Sequence, residues 1–287
     1  FFDRCGRAAW RIFMMGKLTG LKDTLWAIGI GICLVAVLFG LIFAMAHGYG
    51  GSSEKPGVDL GAATNIKDEG TAQQAPLAPG ELNELKETKN AGQDYLASLT
   101  FICDSTMIGM RDYGMLSGGS ANTQVWGSTA GTIPIESLSS CVIKYPADGS
   151  EISAATAAMI AQPKLLVLCV GNDGLASASE EAFRAAYKGL IDSIRSASPD
   201  TKIIVCSLLP VTENYTGADG LTNVAIAQAT TWLKQVCTEA SVYYADISSA
   251  LTLNGSLASE YSTGDGHALS SAGCSKVLEY LSTHAVG

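Results

Sequence analysis

The sequence has few of the marks that assign a chemistry at sight. Histidine occurs three times, at His47, His267 and His284. The eight cysteines form no Cys-x-x-Cys pair and no Cys/His cluster, which argues against a zinc site. There is no His-Glu-x-x-His, no Walker-type loop and no Gly-x-Ser-x-Gly elbow. No metal or other cofactor is therefore expected. Basic residues are scarce beyond residue 47: residues 48–287 hold 13 Lys/Arg against 25 Asp/Glu. An acidic chain of this kind is not expected to partner nucleic acid, because phosphate binding needs basic surface. No repeat of fixed period is visible.

Among the features that are present, residues 25–46 contain no charged side chain and are nearly all apolar. A helix needs roughly 20 such residues to cross the hydrocarbon core of a bilayer. Arg4, Arg7, Arg11, Lys17 and Lys22 precede the run. Positive flanks stay cytoplasmic, so residues 1–24 are expected inside, 25–47 as a membrane anchor, and residue 48 onward outside. The competing reading is a cleaved signal peptide, with Ala44-Met45-Ala46 as the cleavage site; the run exceeds the usual apolar core of about 7–15 residues. Residues 48–93 are rich in Gly, Ser, Pro, Ala, Glu and Lys and read as a flexible linker, with Glu81–Lys89 as a short solvated helix. The globular domain is expected over residues 94–287.

In that domain, strand-like apolar runs recur at Leu99–Cys103, Thr123–Trp126, Lys164–Val170, Lys202–Leu208 and Val242–Ala245. Helical patterns alternate with them at Ser179–Ser196, Leu221–Ala240 and Ser270–Thr283, with Ser177 and Glu180 as a capping box. Such alternation predicts an α/β fold with a parallel sheet of five strands covered on both faces. Cys103, Cys169 and Cys206 fall in or at the ends of apolar runs and read as small buried hydrophobes with free thiols; a disulfide among the domain's cysteines is left open.

Four short stretches carry groups suited to hydrolysis. Cys103-Asp104-Ser105 ends the first strand, Trp126-Gly127-Ser128 the second, and Gly171-Asn172-Asp173 the third; Asp265-Gly266-His267 precedes the last helix. A parallel sheet gathers such strand ends at one edge. Ser105 is a candidate nucleophile, His267 its base and Asp265 the group that orients the imidazole. The Gly127 amide and the Asn172 side chain are candidate oxyanion donors. Plainer readings compete: Ser105 as a helix cap, Asn172-Asp173 and Asp265-Gly266 as turns, Gly127 as a turn glycine. Asp104 and Asp173 read as loop-holding residues.

Taken in order, these stretches resemble the blocks of the SGNH/GDSL hydrolases. Phe-Ile-Cys-Asp-Ser is similar to the first block, usually Gly-Asp-Ser, and Val-Gly-Asn-Asp to the third, Gly-x-Asn-Asp. Asp-Gly-His-Ala-Leu-Ser is similar to the last block, usually Asp-x-x-His. The resemblance spans about residues 97–284. It implies a three-layer α/β/α sandwich of the SGNH/flavodoxin-like kind and ester hydrolysis. It also implies Ser105, His267 and Asp265 as the catalytic set, with Ser105, Gly127 and Asn172 as the oxyanion hole. Three departures stand out: Cys103 and Val170 replace block glycines, and one residue rather than two separates Asp265 from His267. The expected partner is a small ester or an O-acylated glycan, reached outside a bacterial membrane. A catalytically decayed module that binds a glycan or protein, or an O-acyltransferase, is the alternative.

Overall fold

The computed structural model describes residues 80–217 and 220–287. The predicted cytoplasmic segment, the anchor at 25–47 and most of the linker lie outside the described residues. Among the described residues no helix is long and apolar enough to cross a membrane.

In chain order the elements are β1 (Asn83–Glu84), α1 (Gly92–Ser98), β2 (Leu99–Cys103), β3 (Val125–Trp126), β4 (Val142–Lys144), β5 (Glu151–Ser153), α2 (Ala154–Ala161), β6 (Leu165–Cys169), α3 (Glu180–Ala197), β7 (Lys202–Cys206), α4 (Asn223–Ala240), β8 (Tyr243–Ala245), β9 (Thr252–Leu253), β10 (Ser256–Leu257) and α5 (Ser271–Thr283). Six strands form the main sheet in the order β1-β8-β7-β6-β2-β3, and every pairing in it is parallel. β4–β5 and β9–β10 are antiparallel pairs apart from it.

The sheet is buried on both faces, and its central strands divide their side chains between two cores. Ile102, Leu166, Leu168, Ile203 and Val205 belong to one core, which the apolar faces of α2, α3 and α4 cover. Phe101, Cys103, Leu165, Val167, Cys169, Ile204 and Cys206 belong to the other, covered by α1 and α5. The two-residue period of a strand sends neighbours to opposite faces, so continuous apolar runs are what this arrangement needs. On α3, Phe183, Tyr187, Leu190, Ile191 and Ile194 are all buried. Each such side chain contributes roughly 1.5–3 kcal/mol when removed from water. This is the expected three-layer arrangement.

Three sequence expectations need correcting. The main sheet has six strands, because β1 pairs with β8 through Asn83↔Tyr243 and Glu84↔Tyr244. The segment read as the end of the linker therefore belongs to the domain. Leu85 is 2% exposed, Leu85 N–H donates to the Tyr244 carbonyl at 2.8 Å, and Thr88 and Ala91 N–H bond carbonyls near the end of α5. One apolar anchor and three backbone bonds outweigh a polar composition, and no helix forms at 81–89. Third, α3 is capped by Ser179, whose side chain accepts from Ala182 N–H, rather than by a Ser177–Glu180 box.

Chain order reverses direction across the sheet at β2, which has β3 on one side and β6 on the other. Ligand crevices of open parallel sheets form at the carboxyl ends of strands flanking such a switch. Ser105 follows β2 and Asn172 follows β6.

Candidate active site

The turn after β2 is fastened by a buried carboxylate. Asp104 is 0% exposed. Its Oδ1 accepts from Thr106 N–H at 3.0 Å and Thr106 Oγ at 2.6 Å, and its Oδ2 accepts from Asn172 N–H at 3.0 Å. The turns after β2 and β6 are thereby locked together. Burial, and then the neighbouring charge of Asp173, push the Asp104 carboxyl up to about 6. Its expected role of holding the loop matches these contacts.

Ser105 is half-buried beside this lock. Its Oγ donates to Asp173 Oδ1 at 2.5 Å, and its N–H donates to Asp173 Oδ2 at 3.2 Å. Ile133 N–H donates to the same Oδ2 at 2.7 Å. The Asp173 carboxylate thus faces the candidate nucleophile directly, a placement the loop-holding reading of Asp173 did not include. Its position next to Asn172 was the only available signal. A backbone amide such as Ile133 leaves no mark in a sequence.

Asn172 is 4% exposed and is tied to the loop after β7: its Nδ2 donates to the Leu209 carbonyl at 2.7 Å, and its Oδ1 accepts from Leu209 N–H at 3.2 Å. A carboxamide has two N–H groups, so one such bond does not exhaust its donors. Gly171, just before it, has φ of +114°. A Cβ there would lie 2.8 Å from Tyr187 Oη and 2.9 Å from Leu208 Cδ2. Tyr187 Oη donates to the Val170 carbonyl, so the ring is held close. The third block's need for a glycine is thus met at 171. Gly127 is buried after β3, and its carbonyl accepts from Lys144 N–H at 2.9 Å.

The Asp-Gly-His loop is brought to the serine turn by main-chain bonds. Leu269 N–H donates to the Thr106 carbonyl at 2.8 Å, and Thr212 N–H donates to the Gly266 carbonyl at 2.9 Å. Gly266 has φ of +79°, and a Cβ there would meet Thr212 Oγ at 2.5 Å. Asp265 Oδ1 accepts from His267 N–H at 2.8 Å and Ala268 N–H at 2.9 Å. Partial burial opposes ionisation of Asp265, but the amides of His267 and Ala268 outweigh it and hold the carboxyl below its ordinary range. His267 packs against Tyr215, with ring centroids 5.9 Å apart. Its Nε2 is buried and has no hydrogen-bond partner.

The structure therefore gathers Ser105, Asn172 and the His267 loop at one edge but does not join them as a bonded triad. No hydrogen bond links His267 Nε2 to Ser105 Oγ, whose proton goes to Asp173. The expected bond from the His267 ring to the Asp265 carboxylate is also not formed. With one residue between them, the Asp265 carboxylate turns onto the two following amides, as Asp does in an Asx turn.

Beneath Ser105, Cys103, Cys169 and Cys206 lie on adjacent strands, and the Cys169 and Cys206 sulfurs are 3.6 Å apart. All six cysteines of the described residues are free and buried. Cys169 Sγ donates to Cys206 Sγ, and hydrogen bonding with Cys103 and Cys206, together with burial, raises the Cys169 thiol well above its ordinary value, so it stays protonated. Among the described residues no group of His, Cys, Asp and Glu is placed to hold a metal ion.

The sequence profile of the GDSL-like lipase/acylhydrolase family matches residues 149–274, a stretch that includes Asn172, Asp173, Asp265 and His267. No curated protein matches the chain. Among solved structures, one provisionally described as a platelet activating factor from Streptococcus pneumonia is 21% identical, covering 64% of this chain and 81% of its own, at a TM-score of 0.49. A lipolytic protein provisionally placed in the G-D-S-L family, from Desulfitobacterium hafniense DCB-2, is 19% identical over 65% of this chain and 98% of its own, at 0.44. The periplasmic domain of the lipopolysaccharide acetyltransferase of Salmonella ser. Paratyphi A is 16% identical over 70% and 90%, at 0.42. The parallel α/β sheet and the profile match, which covers less than half of the chain, fit a hydrolase of the GDSL-like lipase/acylhydrolase kind.

Proposed function

We propose that the chain is a serine esterase that hydrolyses acyl esters, with Ser105 as nucleophile and His267 as base. The observation that carries this reading is the bond from Leu269 N–H to the Thr106 carbonyl at 2.8 Å, which holds the histidine loop against the serine turn. His267 Nε2 is buried and unpartnered. An unpaired buried imidazole nitrogen costs free energy until it receives a proton or a donor. In this reading, movement of the loop, with the Ser105 hydroxyl turning away from Asp173, brings base and nucleophile together.

In the proposed reaction the Ser105 proton passes to His267 Nε2 while Oγ bonds to the ester carbonyl carbon. The carbonyl π pair moves onto oxygen, where the Ser105 amide, with Gly127 and Asn172 as further candidates, stabilises it. Collapse expels the alcohol, which takes the proton from His267. Water, activated by the same imidazole, then releases the acid and restores Ser105. Asp265 shapes the loop that presents His267.

The substrate class we favour is O-acetyl or another short acyl ester, on envelope glycans. The charge pattern before residues 25–47 supports a single-pass anchor with this domain outside the membrane. The bond of Ser105 Oγ to Asp173 favours one rival, a decayed binding module. Transfer of the acyl group to a sugar hydroxyl is a variant of the same chemistry.

The purified full chain should hydrolyse p-nitrophenyl acetate, and Ser105→Ala should abolish the reaction. Wild-type turnover no faster than that of Ser105→Ala would rule out the esterase and leave the binding module.

A further inference from the structure

We infer that the Asp173 carboxylate is a built-in occupant of the acyl position, held by a donor pair, the amides of Ser105 and Ile133, that takes a small carboxylate once Asp173 is removed. Only the name "acyl position" rests on the esterase reading; the carboxylate site itself stands on the geometry.

The contacts have the pattern of a bound product acid. One carboxylate oxygen, Oδ1, sits 2.5 Å from the candidate nucleophile Ser105 Oγ. The other, Oδ2, accepts two backbone amides, Ser105 N–H at 3.2 Å and Ile133 N–H at 2.7 Å. Two amides converging on one oxygen form the donor arrangement that stabilises an oxyanion. Three donors on one carboxylate make a charge-assisted set, stronger than neutral bonds. The donors come from separate parts of the chain. Ser105 follows β2, whereas Ile133 lies in the loop between β3 and β4 and is itself 2% exposed. That loop is also anchored by Ile135 N–H on the Asp173 carbonyl at 3.0 Å.

A second donor thereby enters the account that sequence alone does not offer. A substrate oxygen in the place of Oδ2 receives Ser105 N–H and Ile133 N–H together. It must first displace Asp173, which is tethered and therefore present at high effective concentration. Asp173 thus sets a threshold: acyl groups that cannot compete with a tethered carboxylate bind poorly.

The test uses the full chain and acetate as the probe. Thermal unfolding of wild type, Asp173→Ala and Asp173→Asn is followed in sodium acetate and in sodium chloride of equal ionic strength. Ligand binding to the folded state raises the unfolding temperature according to its dissociation constant. Asp173→Ala should bind acetate at least about tenfold more tightly than wild type. Asp173→Asn keeps the shape without the charge and should fall between them, which decides the question if Asp173→Ala does not fold. Equal acetate affinity in wild type and both folded variants overturns the proposal, as does a loss of stability with no acetate-dependent gain, the mark of a purely structural role. Because no turnover is read, an inactive wild type refutes the esterase without touching this result, and the converse also holds.

Discussion

The serine turn and the histidine loop supply the two halves of one candidate site, and they are built in opposite ways. Asp104 is wholly buried and ties two strand ends together through three bonds. Asp265 is exposed and bonds groups of its own loop, chiefly the amides of His267 and Ala268 with the Ser262 hydroxyl at 3.5 Å. The first aspartate fixes the nucleophile to the sheet. The second shapes a loop that touches the serine turn through Leu269. The nucleophile is tied to the sheet edge, the base sits on a loop joined to the serine turn through Leu269, and no hydrogen bond links the two groups.

This contrast can be broken at either end, and the largest effect is expected on activity. His267→Ala should lower ester hydrolysis by about 10³-fold or more, the usual order for a triad base. Asp265→Asn should cost less than about tenfold, because its carboxylate contacts backbone amides and not the imidazole. Steady-state kinetics of both variants decides; equal losses would restore Asp265 to the role of triad acid.

Stability should separate the halves next. Asp104→Ala orphans the Thr106 amide, the Thr106 hydroxyl and the Asn172 amide, and should cost about 3 kcal/mol or more, at about 1–3 kcal/mol for each buried group left unpaired. Asp265→Ala should cost about 1 kcal/mol or less, as its amides can turn to water. Urea unfolding measures both. Gly266→Ala should fall between them, at about 1–3 kcal/mol, because φ of +79° and Thr212 Oγ leave no room for a methyl group.

The smallest effect is on pH dependence, where the two aspartates should act in opposite directions. Asp104 keeps its proton in the folded chain up to about 6, while the unfolded chain loses it near the ordinary carboxylate value. Its contribution is therefore full below about pH 4 and is lost as pH rises toward 6. Asp265 is held below its ordinary value, so its contribution is present above that value and is lost as pH falls. Melting temperatures of wild type, Asp104→Asn and Asp265→Asn between pH 3 and 7 should show the two differences sloping oppositely. Parallel slopes would remove the distinction.

The two halves were also unequally legible. The strand Leu99–Cys103 and its polar end could be read directly, because a doubly buried parallel strand demands a continuous apolar run. So could the final helix, whose cap the sequence leaves between Ser270 and Ser271; it is Ser270, which accepts from Gly273 N–H. β1 was hidden, since two residues pairing by backbone alone leave no pattern in Asn83 and Glu84. The Asp173 contact was hidden for another reason. Its partners are a hydroxyl and two amides far apart in sequence, and only the folded sheet brings them together. The Asp-x-His spacing was visible, but its consequence, an Asx turn in place of an Asp–imidazole bond, depends on where the carboxylate turns.

Reaction with a fluorophosphonate bears most directly on the claim that Ser105 is a nucleophile served by His267. The account predicts a single adduct by intact mass, mapped to Ser105, whose formation slows by at least about 10²-fold in His267→Ala. An adduct on another serine, no adduct at all, or labelling unaffected by loss of His267 would contradict it.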